Sequence, residues 1–498
     1  MDENEEITEE QFYAMIESTG TTAEDFDTAV KDMYGVLYSP DGKKLIRFTD
    51  PNVTDYMVQP GTEIICAEAF IVFDDNLENC NRVERITIPP SVRLIGGSAF
   101  SGCKCLKYVN LPPDLELLGW GAFRACYNVE IDTQDPDLVC KDKMLIDRKC
   151  KMLRAYFGTD SVLTVPDEIE IIDDYVFFNC KNLTEVTLPE TLRVVGNHAF
   201  ALCDNLTTIH LGNSLEYLGH NSFELCSKLE SIRIPDTVTD IGSEAFSNCV
   251  ALKDITWPKN LEYISCNAFY SCDSLVSVTL PNTVKEIGDE AFHGCWQLRE
   301  VVLPQSLEYL GAKSFEFCSK LSHVVLPESL NEYGGGLFSG CVSTLNVESR
   351  SPRFMVENNM LIDYATYTLV SYWGIASQWI IIPDNILNIA PYACSQLVNA
   401  ETLQLPAGLS SIGEYAFYDC DMIQKVEIPP LVTSLPEGAF ANCFQLRTVV
   451  FKGIVTSINE KAFEDCPRIE RIVVPFGCVD TVRQLLVEEL RDKVVGEK

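Results

Sequence analysis

Cysteine is the residue type whose number and spacing in this chain could do chemistry. The 498-residue sequence contains 21 cysteines, and eight of them recur every 23 residues from Cys180 to Cys341. Six more occupy the same repeat position elsewhere: Cys80, Cys103, Cys126, Cys420, Cys443 and Cys466. The total is odd and the chain is long, and a free cysteine packs as a small hydrophobe, so we interpret this column as buried thiols. A redox-sensitive ladder is the alternative, because neighbours one turn apart would lie within disulfide reach.

Other residues with catalytic or ligating potential form no recognisable constellation. The five histidines, His198, His210, His220, His293 and His323, lack metal-ligand spacing. Cys103 and Cys105 form the closest cysteine pair, and no second pair completes a zinc site. Glycine-rich phosphate loops, nucleophile elbows and zinc-protease motifs are missing from the sequence. We therefore predict no catalytic residue, metal ligand or cofactor. An enzyme whose carboxylates are brought together only by the fold is a remote alternative.

The charge of the chain restricts its partners. It has 38 basic and 73 acidic residues, which gives a formal charge of −35. Such a polyanion repels phosphate backbones and anionic lipid surfaces, so we expect a neutral or basic protein partner and no nucleic acid. No apolar run reaches the ~18 residues that a membrane-spanning helix needs. We expect a monomer.

A 23-residue repeat positions the cysteines. Phenylalanine precedes each of the eight by three residues, from Phe177 to Phe338. Counted from that Phe, an aliphatic pair at +9 and +11 alternates with polar residues, which predicts a short strand, and proline at +12 ends it. Glycine at +19, replaced by Asn459 and Asp173 in two units, suggests a positive φ. The Ala-Phe pair and the cysteine are predicted to form a tight turn that plugs the core.

One unit buries only one face of each piece and must stack on its neighbours. We therefore predict a β-rich α/β fold, a right-handed leucine-rich-repeat solenoid of about 15 turns of 23 residues, spaced ~4.8 Å apart. The count of 15 uses the recurring phenylalanines together with Cys394. Three inserted β-hairpin modules are expected near residues 34–48, 139–157 and 355–373, within a solenoid that spans residues 34–478.

Helices are predicted at both ends of the chain. Residues 1–33 should form a helical cap, with a capping box of Thr8 and Gln11 and a second helix beginning near Thr22. This segment is expected to cover the open end of the array, and an acidic docking arm is the alternative. Residues 479–498 should form a capping amphipathic helix that runs from Val479 to Val494.

The candidate partner-binding face consists of the outward positions +8 and +10 of five consecutive strands. Its residues are Glu185, Thr187, Thr208, His210, Ser231, Arg233, Asp254, Thr256, Ser277 and Thr279. A solvated strand surface without function is the alternative, and a shallow recognition face for an extended protein partner is the functional interpretation. Trp373 and Trp379 could add an aromatic anchor or could belong to the core of the third module.

The full pattern, L-x-x-I-x-L-P-x-x-L-x-x-I-G-x-x-A-F-x-x-C-x-x-L, resembles the BspA-like, or Treponema pallidum-type, leucine-rich repeats. The resemblance covers about residues 34–478 and includes the inserted YGVLYSPDGKKLI module and the closing IVVPFGCVDTVRQLL segment. It implies a leucine-rich-repeat solenoid of the secreted or surface-exposed kind found in host-associated bacteria and some protists. It also implies a role in adhesion or protein binding, and an intracellular scaffold or effector-like role is the alternative.

The first residues, MDENEEITEE, lack the basic start and apolar centre of a secretory signal. On this sequence we expect a cytoplasmic protein. The alternative is a secreted or cell-surface protein whose leader has been removed.

Overall fold

The computed structural model describes residues 9–72, 81–374 and 378–497. The chain forms two compact units, residues 1–238 and residues 239–498. Thr8 of the predicted capping box and Cys80 of the cysteine column lie outside the described residues.

Each unit is a stack of turns that carry two short parallel strands, a front strand at +8 to +10 and a back strand at +17 and +18. Successive turns pair without a change of register: Glu185 lies opposite Thr208 at the front, and Val194 lies opposite Tyr217 at the back. The alternation predicted at +9 and +11 holds, because Val186 and Leu188 are buried. The leucine-rich-repeat solenoid predicted from the sequence is confirmed.

In the first unit the front strands are Asp55–Met57, Arg85–Thr87, Tyr108–Leu111, Glu130–Thr133, Val162–Thr164, Glu185–Thr187, Thr208–His210 and Ser231–Arg233. The back strands are Lys44–Arg47, Ile64–Ile65, Leu94–Ile95, Leu117–Leu118, Met152–Tyr156, Ile171–Ile172, Val194–Val195 and Tyr217–Leu218.

In the second unit the front strands are Asp254–Thr256, Ser277–Thr279, Glu300–Val302, His323–Leu326, Asn346–Ser349, Trp379–Ile381, Thr402–Gln404, Lys425–Ile428, Thr448–Phe451 and Arg471–Pro475. The back strands are Asp240–Ile241, Tyr263–Ile264, Glu286–Ile287, Tyr309–Leu310, Glu332–Tyr333, Thr368–Tyr372, Asn388–Ile389, Ser411–Ile412, Ser434–Leu435 and Ser457–Ile458.

The three modules are antiparallel meanders whose last strand serves as a back strand of the stack. The first two strands of each are Val30–Lys31 with Leu37–Tyr38, Leu138–Lys141 with Met144–Asp147, and Phe354–Glu357 with Met360–Asp363. Each predicted hairpin is present, with a register shift at the same place, beside Leu37, Leu145 and Leu361. The prediction missed the preceding third strand of each module.

The modules account for most of the difference between the about 15 turns predicted and the about 19 turns that the described parts of the chain form. The ring of Phe48 stacks on Phe70 at 5.1 Å, Phe157 lies 5.5 Å from Phe123, and Trp373 lies 5.7 Å from Phe338. Each module therefore supplies its own aromatic plug. The count from the sequence left these turns out because their plugs fall outside the 23-residue spacing.

Stacked phenylalanine rings form the centre of each unit. In the second unit Phe269 lies 5.4 Å from Phe292, and Phe292 lies 5.6 Å from Phe315, with ring planes within 6° of parallel. In the first unit Phe177 lies 4.8 Å from Phe200. These rings are fully buried. The predicted plug position therefore forms a stacked aromatic column from Phe246 to Phe338 in the second unit, and Cys394 interrupts the rings farther along that unit.

The glycine at +19 does not adopt the positive φ that the sequence suggested. A Cβ on Gly311 would lie 2.3 Å from the backbone of Asp289 and Gly288 in the preceding turn, and one on Gly196 would lie 2.6 Å from Asp174. The residue is small because two backbones approach each other here. Pro436, whose ring fixes a negative φ, agrees with the absence of a positive φ at this position.

Positive φ occurs instead at two other repeat positions. Examples are Asn179 and Asn248 at +2, and Asn221 and Asn267 at +21. Asparagine tolerates the left-handed region better than most residues.

The N-terminal segment contains the two predicted helices, Glu9–Thr19 and Ala23–Thr28. Thr22 caps the second one through a capping box with Asp25. The first helix lies across the back of several turns and not over the open end: Phe12 contacts Trp120, and the Thr19 carbonyl accepts a hydrogen bond from the Ala67 N–H. A cavity of about 250 Å³ lies between this helix and the turns, with Ile16, Leu117 and Trp120 in its walls.

The predicted C-terminal helix is broken. A 3₁₀ turn, Phe476–Cys478, leads into helices Val479–Leu485 and Glu488–Arg491, because Leu486 and Val487 adopt extended dihedrals. The chain then returns as strand Val494–Glu497, which pairs with the last front strand, Arg471–Pro475. That pairing covers a sheet edge that a single helix would leave open. Among the described residues, no helix is both long and apolar enough to cross a bilayer.

Candidate functional site

The front strands carry the candidate face that the sequence predicted. In the first unit Glu185, His210, Ser231 and Arg233 are exposed, and Thr187 and Thr208 are half-buried. The residue between each pair, such as Val186 or Ile209, points into the core. Because the register is constant, Thr187 lies beside His210, and the outward side chains form straight rows.

In the second unit the remaining four candidate residues, Asp254, Thr256, Ser277 and Thr279, are all exposed. Ser277 lies beside Glu300, and Thr279 lies beside Val302. The rows therefore present small hydroxyls, isolated charges and one aliphatic side chain. Such a surface can form hydrogen bonds along an extended chain but contains no group arranged for catalysis.

A more concave part of the same face lies nearer the N-terminus of the first unit and was missed from the sequence. We name it the front groove: a cavity of about 470 Å³ lined by Met57, Arg85, Tyr108, Asp132 and the prolines that end the strands. Met57 is 67% exposed. Tyrosine, arginine and methionine are enriched in protein–protein interfaces, and tyrosine and arginine are frequent hot spots. Their appearance at +8 and +10, where later turns carry serine and threonine, was the signal that could have found the groove.

Three side chains of the front groove form a polar chain across three consecutive turns. The Arg85 guanidinium lies 4.1 Å from the centre of the Tyr108 ring, and the Tyr108 hydroxyl donates to Asp132 at 3.0 Å. Burial and this hydrogen bond raise the pKa of Tyr108. Asp55 and Asp132 form no ion pair within the described part of the chain. The groove can therefore accept a cationic side chain while its aromatic and aliphatic groups contact the rest of a partner.

The two tryptophans considered as an anchor behave differently. Trp373 is buried, and its indole N–H donates to the Leu345 carbonyl at 3.2 Å, so it belongs to the core of the third module. Trp379 is 70% exposed on a front strand.

The cysteines of the column are buried wherever the structure describes them. No disulfide forms among the cysteines of residues 9–72, 81–374 and 378–497. Most thiols of the column donate to the carbonyl of the plug residue one turn earlier, as Cys203 does to Phe177 at 3.1 Å and Cys318 does to Phe292 at 3.2 Å. Burial raises the pKa of Cys180 and Cys295 to about 12. A thiol with so high a pKa is a poor nucleophile at neutral pH.

A cluster of charged residues lies at the plug turns of the second unit. Glu316 is buried and lies 3.1 Å from the His293 ring nitrogen, and the Lys313 ammonium lies 3.0 Å from Glu290 and 4.2 Å from the Tyr392 ring. Burial alone would lower the pKa of Lys313, but Glu316 and Glu290 outweigh it and raise that pKa. Because acid and base are paired, the cluster holds adjacent turns together. In the parts of the chain described, no group of three or more metal-ligating side chains converges.

The comparisons with known proteins agree with this geometry. A family model described as the BspA type leucine-rich repeat region matches in six copies, over residues 71–138, 158–262, 239–359 and 371–484. No curated protein matches the chain.

Solved structures of similar fold include a leucine-rich cell surface protein from Faecalibacterium prausnitzii. It is 24% identical with a TM-score of 0.50, over 69% of this chain and 89% of that one. The T. pallidum leucine-rich repeat protein is 31% identical with a TM-score of 0.33, over 34% of this chain and 82% of that one. A leucine-rich repeat protein from Bacteroides ovatus is 20% identical with a TM-score of 0.40, over 94% and 97%.

Proposed function

Because this chain belongs to the BspA-type leucine-rich repeat family, we propose that it is a non-catalytic adhesion-type module that binds an extended segment of a protein partner along its front strands. The observation that carries the proposal is the constant register of the front strands. It places exposed outward side chains in rows on consecutive turns, beside a groove of interface-type residues. Repeat proteins of this architecture bind partners on such extended surfaces.

In the first unit the proposed binding surface combines the front groove with the outward residues of strands Glu185–Thr187, Thr208–His210 and Ser231–Arg233. The groove supplies an aromatic anchor and the Asp132 carboxylate, which forms no ion pair in the described part of the chain, and the rows supply hydrogen-bonding hydroxyls. A partner that carries a basic residue next to a stretch of small or polar residues fits both parts. The charge of −35 on the chain favours such a partner at long range.

The proposal is tested by affinity capture from host-cell extract or secretions with three forms of the full chain. One is unchanged, one carries Thr187→Lys, Thr208→Lys and Ser231→Lys, and one carries Arg85→Ala and Tyr108→Ala. A partner that is captured by the unchanged chain and lost from both variants supports the proposal.

A matched control keeps the added charge and moves it to the other sheet. Val194→Lys and Tyr217→Lys place lysines on back strands of the same turns. Equal recovery of every partner by the front variants and this control would remove the front face as the binding surface.

The sequence leaves two cellular locations open, and they differ in whether the protein can be reached by a reagent outside the cell. The F. prausnitzii neighbour is described as a cell surface protein. We propose the surface or secreted location for this chain. Labelling of intact cells with a membrane-impermeant amine reagent should then modify the protein, whereas labelling only after lysis would support the cytoplasmic alternative.

A further inference from the structure

The second module opens a cleft on the first unit that is separate from the front face. In regular turns the N–H at +2 donates to a carbonyl of the next turn, as Asn179 does to Ala201 at 2.8 Å. Between Cys126 and Cys180 the module replaces one regular plug turn. There a side chain joins the neighbouring segments: the Tyr127 hydroxyl donates to the Asn179 carbonyl at 2.8 Å. The result is a cavity of about 360 Å³, which we name the module cleft.

The walls of the module cleft combine aromatic rings with polar groups. Tyr127 is half-buried, and the buried Tyr156 donates its hydroxyl to Asp160 at 2.7 Å. Asn128, Thr159 and Asn182 also line the cavity, and none of their side chains forms a hydrogen bond within the described residues. A volume of this size lies in the usual range of small-molecule sites, about 300–1,000 Å³.

The polar groups that line the module cleft favour some classes of ligand over others. Asn128 and Asn182 each offer a donor and an acceptor, Thr159 offers both in one hydroxyl, and Asp160 accepts. Lys181 is the cationic residue of the lining, and its ammonium is paired with Asp204 at 3.2 Å. Asp160 lines the same space, so these residues do not favour a bound anion. Asp160 is the sole carboxylate of the lining, which is too little to hold a bare metal ion.

We propose that the module cleft binds a neutral hydroxylated ligand, a single hexopyranose unit. Each sugar hydroxyl both donates and accepts, which matches the amides, hydroxyl and carboxylate, while one C–H face of the ring can pack on Tyr127. The ligand could be a free sugar or the terminal residue of a glycan, since both present the same ring. This inference does not depend on the front face, so either proposal can fail without the other.

The test is ligand-observed saturation-transfer NMR on the full chain with methyl glycosides of glucose, galactose, mannose and N-acetylglucosamine. At least one should show saturable binding with a Kd on the order of 1 mM. The variant Thr159→Val/Asn182→Ala should weaken that binding at least tenfold. Asp160→Asn should also weaken it while keeping an acceptor for the Tyr156 hydroxyl. A glycan array probed with the same protein distinguishes a preference for a terminal residue from binding of the free sugar.

The matched control is Gln297→Ala. Gln297 stands at +5 after Phe292, as Asn182 does after Phe177, in a regular turn that carries no module. It should leave the glycoside signal unchanged. Thermal unfolding of every variant verifies the fold, and the exposed positions 159, 160 and 182 should be neutral. The proposal would be overturned if no glycoside of the panel showed saturable binding, or if the Thr159→Val/Asn182→Ala variant bound as well as the unchanged chain. It would also be overturned if lysine peptides bound in the cleft and no glycoside did.

Discussion

Two columns of the second unit repeat with the same 23-residue step and meet opposite environments. The plug column, Phe269, Phe292, Phe315 and Phe338, is fully buried. The front column, Ser277, Glu300, His323 and Asn346, is in register on parallel strands and exposed. The backbone is equally regular in both. Packing fixes the residue type only in the plug column, so the front column is available to recognise a partner.

The largest difference between the columns should appear on truncation of a plug. Phe269→Ala should reduce the free energy of unfolding by roughly 3–5 kcal/mol, because it leaves a cavity between two stacked rings that do not collapse into it. Urea titration followed by circular dichroism measures the change. Phe269→Leu, which keeps most of the volume, serves as the control and should cost less. A loss below about 1 kcal/mol for the alanine variant would mean that the plug column is not tightly packed.

The next prediction tests the close approach of the backbones. Gly311→Ala places a methyl group 2.3 Å from the backbone of the preceding turn. We expect a loss of roughly 2–3 kcal/mol, because the turns must separate. Gly408→Ala is the matched control, since its Cβ would meet nothing nearer than 3.7 Å and its φ is not positive. Equal unfolding midpoints for the two variants would contradict the close-approach explanation of the +19 glycine.

These two positions also mark how far the sequence could be interpreted. The plug column was predictable because its spacing is strict and its residue type is apolar. The reason for the glycine was not, since positive φ and close approach of backbones both select glycine, and only the distance to the neighbouring turn separates them. Asn179 and Asn267 carried the signal for positive φ at other positions.

The modules and the front groove show a second limit. Phe157 and Trp373 act as plugs although their spacing differs from 23, so the number of turns was underestimated. Arg85 and Tyr108 stand at predicted outward positions, but their contact across turns depends on side-chain conformations that no repeat pattern specifies. The repeat spacing therefore predicted the stacking of the turns, whereas the front groove became visible only from the positions of the side chains.

Asp363, a carboxylate buried at the third module, should make the free energy of unfolding depend on pH. Burial of Asp363 by itself raises its pKa, but hydrogen bonds from Arg353 and Tyr333 outweigh burial and hold the pKa at about 2. The folded-state pKa is therefore below the unfolded value. The carboxylate stabilises the fold above about pH 4, and this contribution is lost as the pH falls towards 2.

The measurement compares the wild type with Asp363→Asn by urea unfolding between pH 6 and pH 2. The wild type should be more stable at pH 6, and the difference should shrink by about 2 kcal/mol at the acid end. Asp273→Asn is the control, because burial raises the pKa of Asp273 and the sign of its contribution is opposite. A difference for Asp363→Asn that stays constant with pH would show that the carboxylate is not ionised in the fold.

The smallest effect is expected on the front column itself. Ser277→Lys and Thr279→Lys should change the free energy of unfolding by no more than about 0.5 kcal/mol, because both side chains point to solvent. Val278→Lys, on the same strand and 1% exposed, is the internal control and should unfold the turn, since it buries an unpaired charge. If the two outward lysines cost more than about 1 kcal/mol, packing constrains this column as it does the plug column. The proposal that the outward side chains of the front strands are free to recognise a partner would then be contradicted.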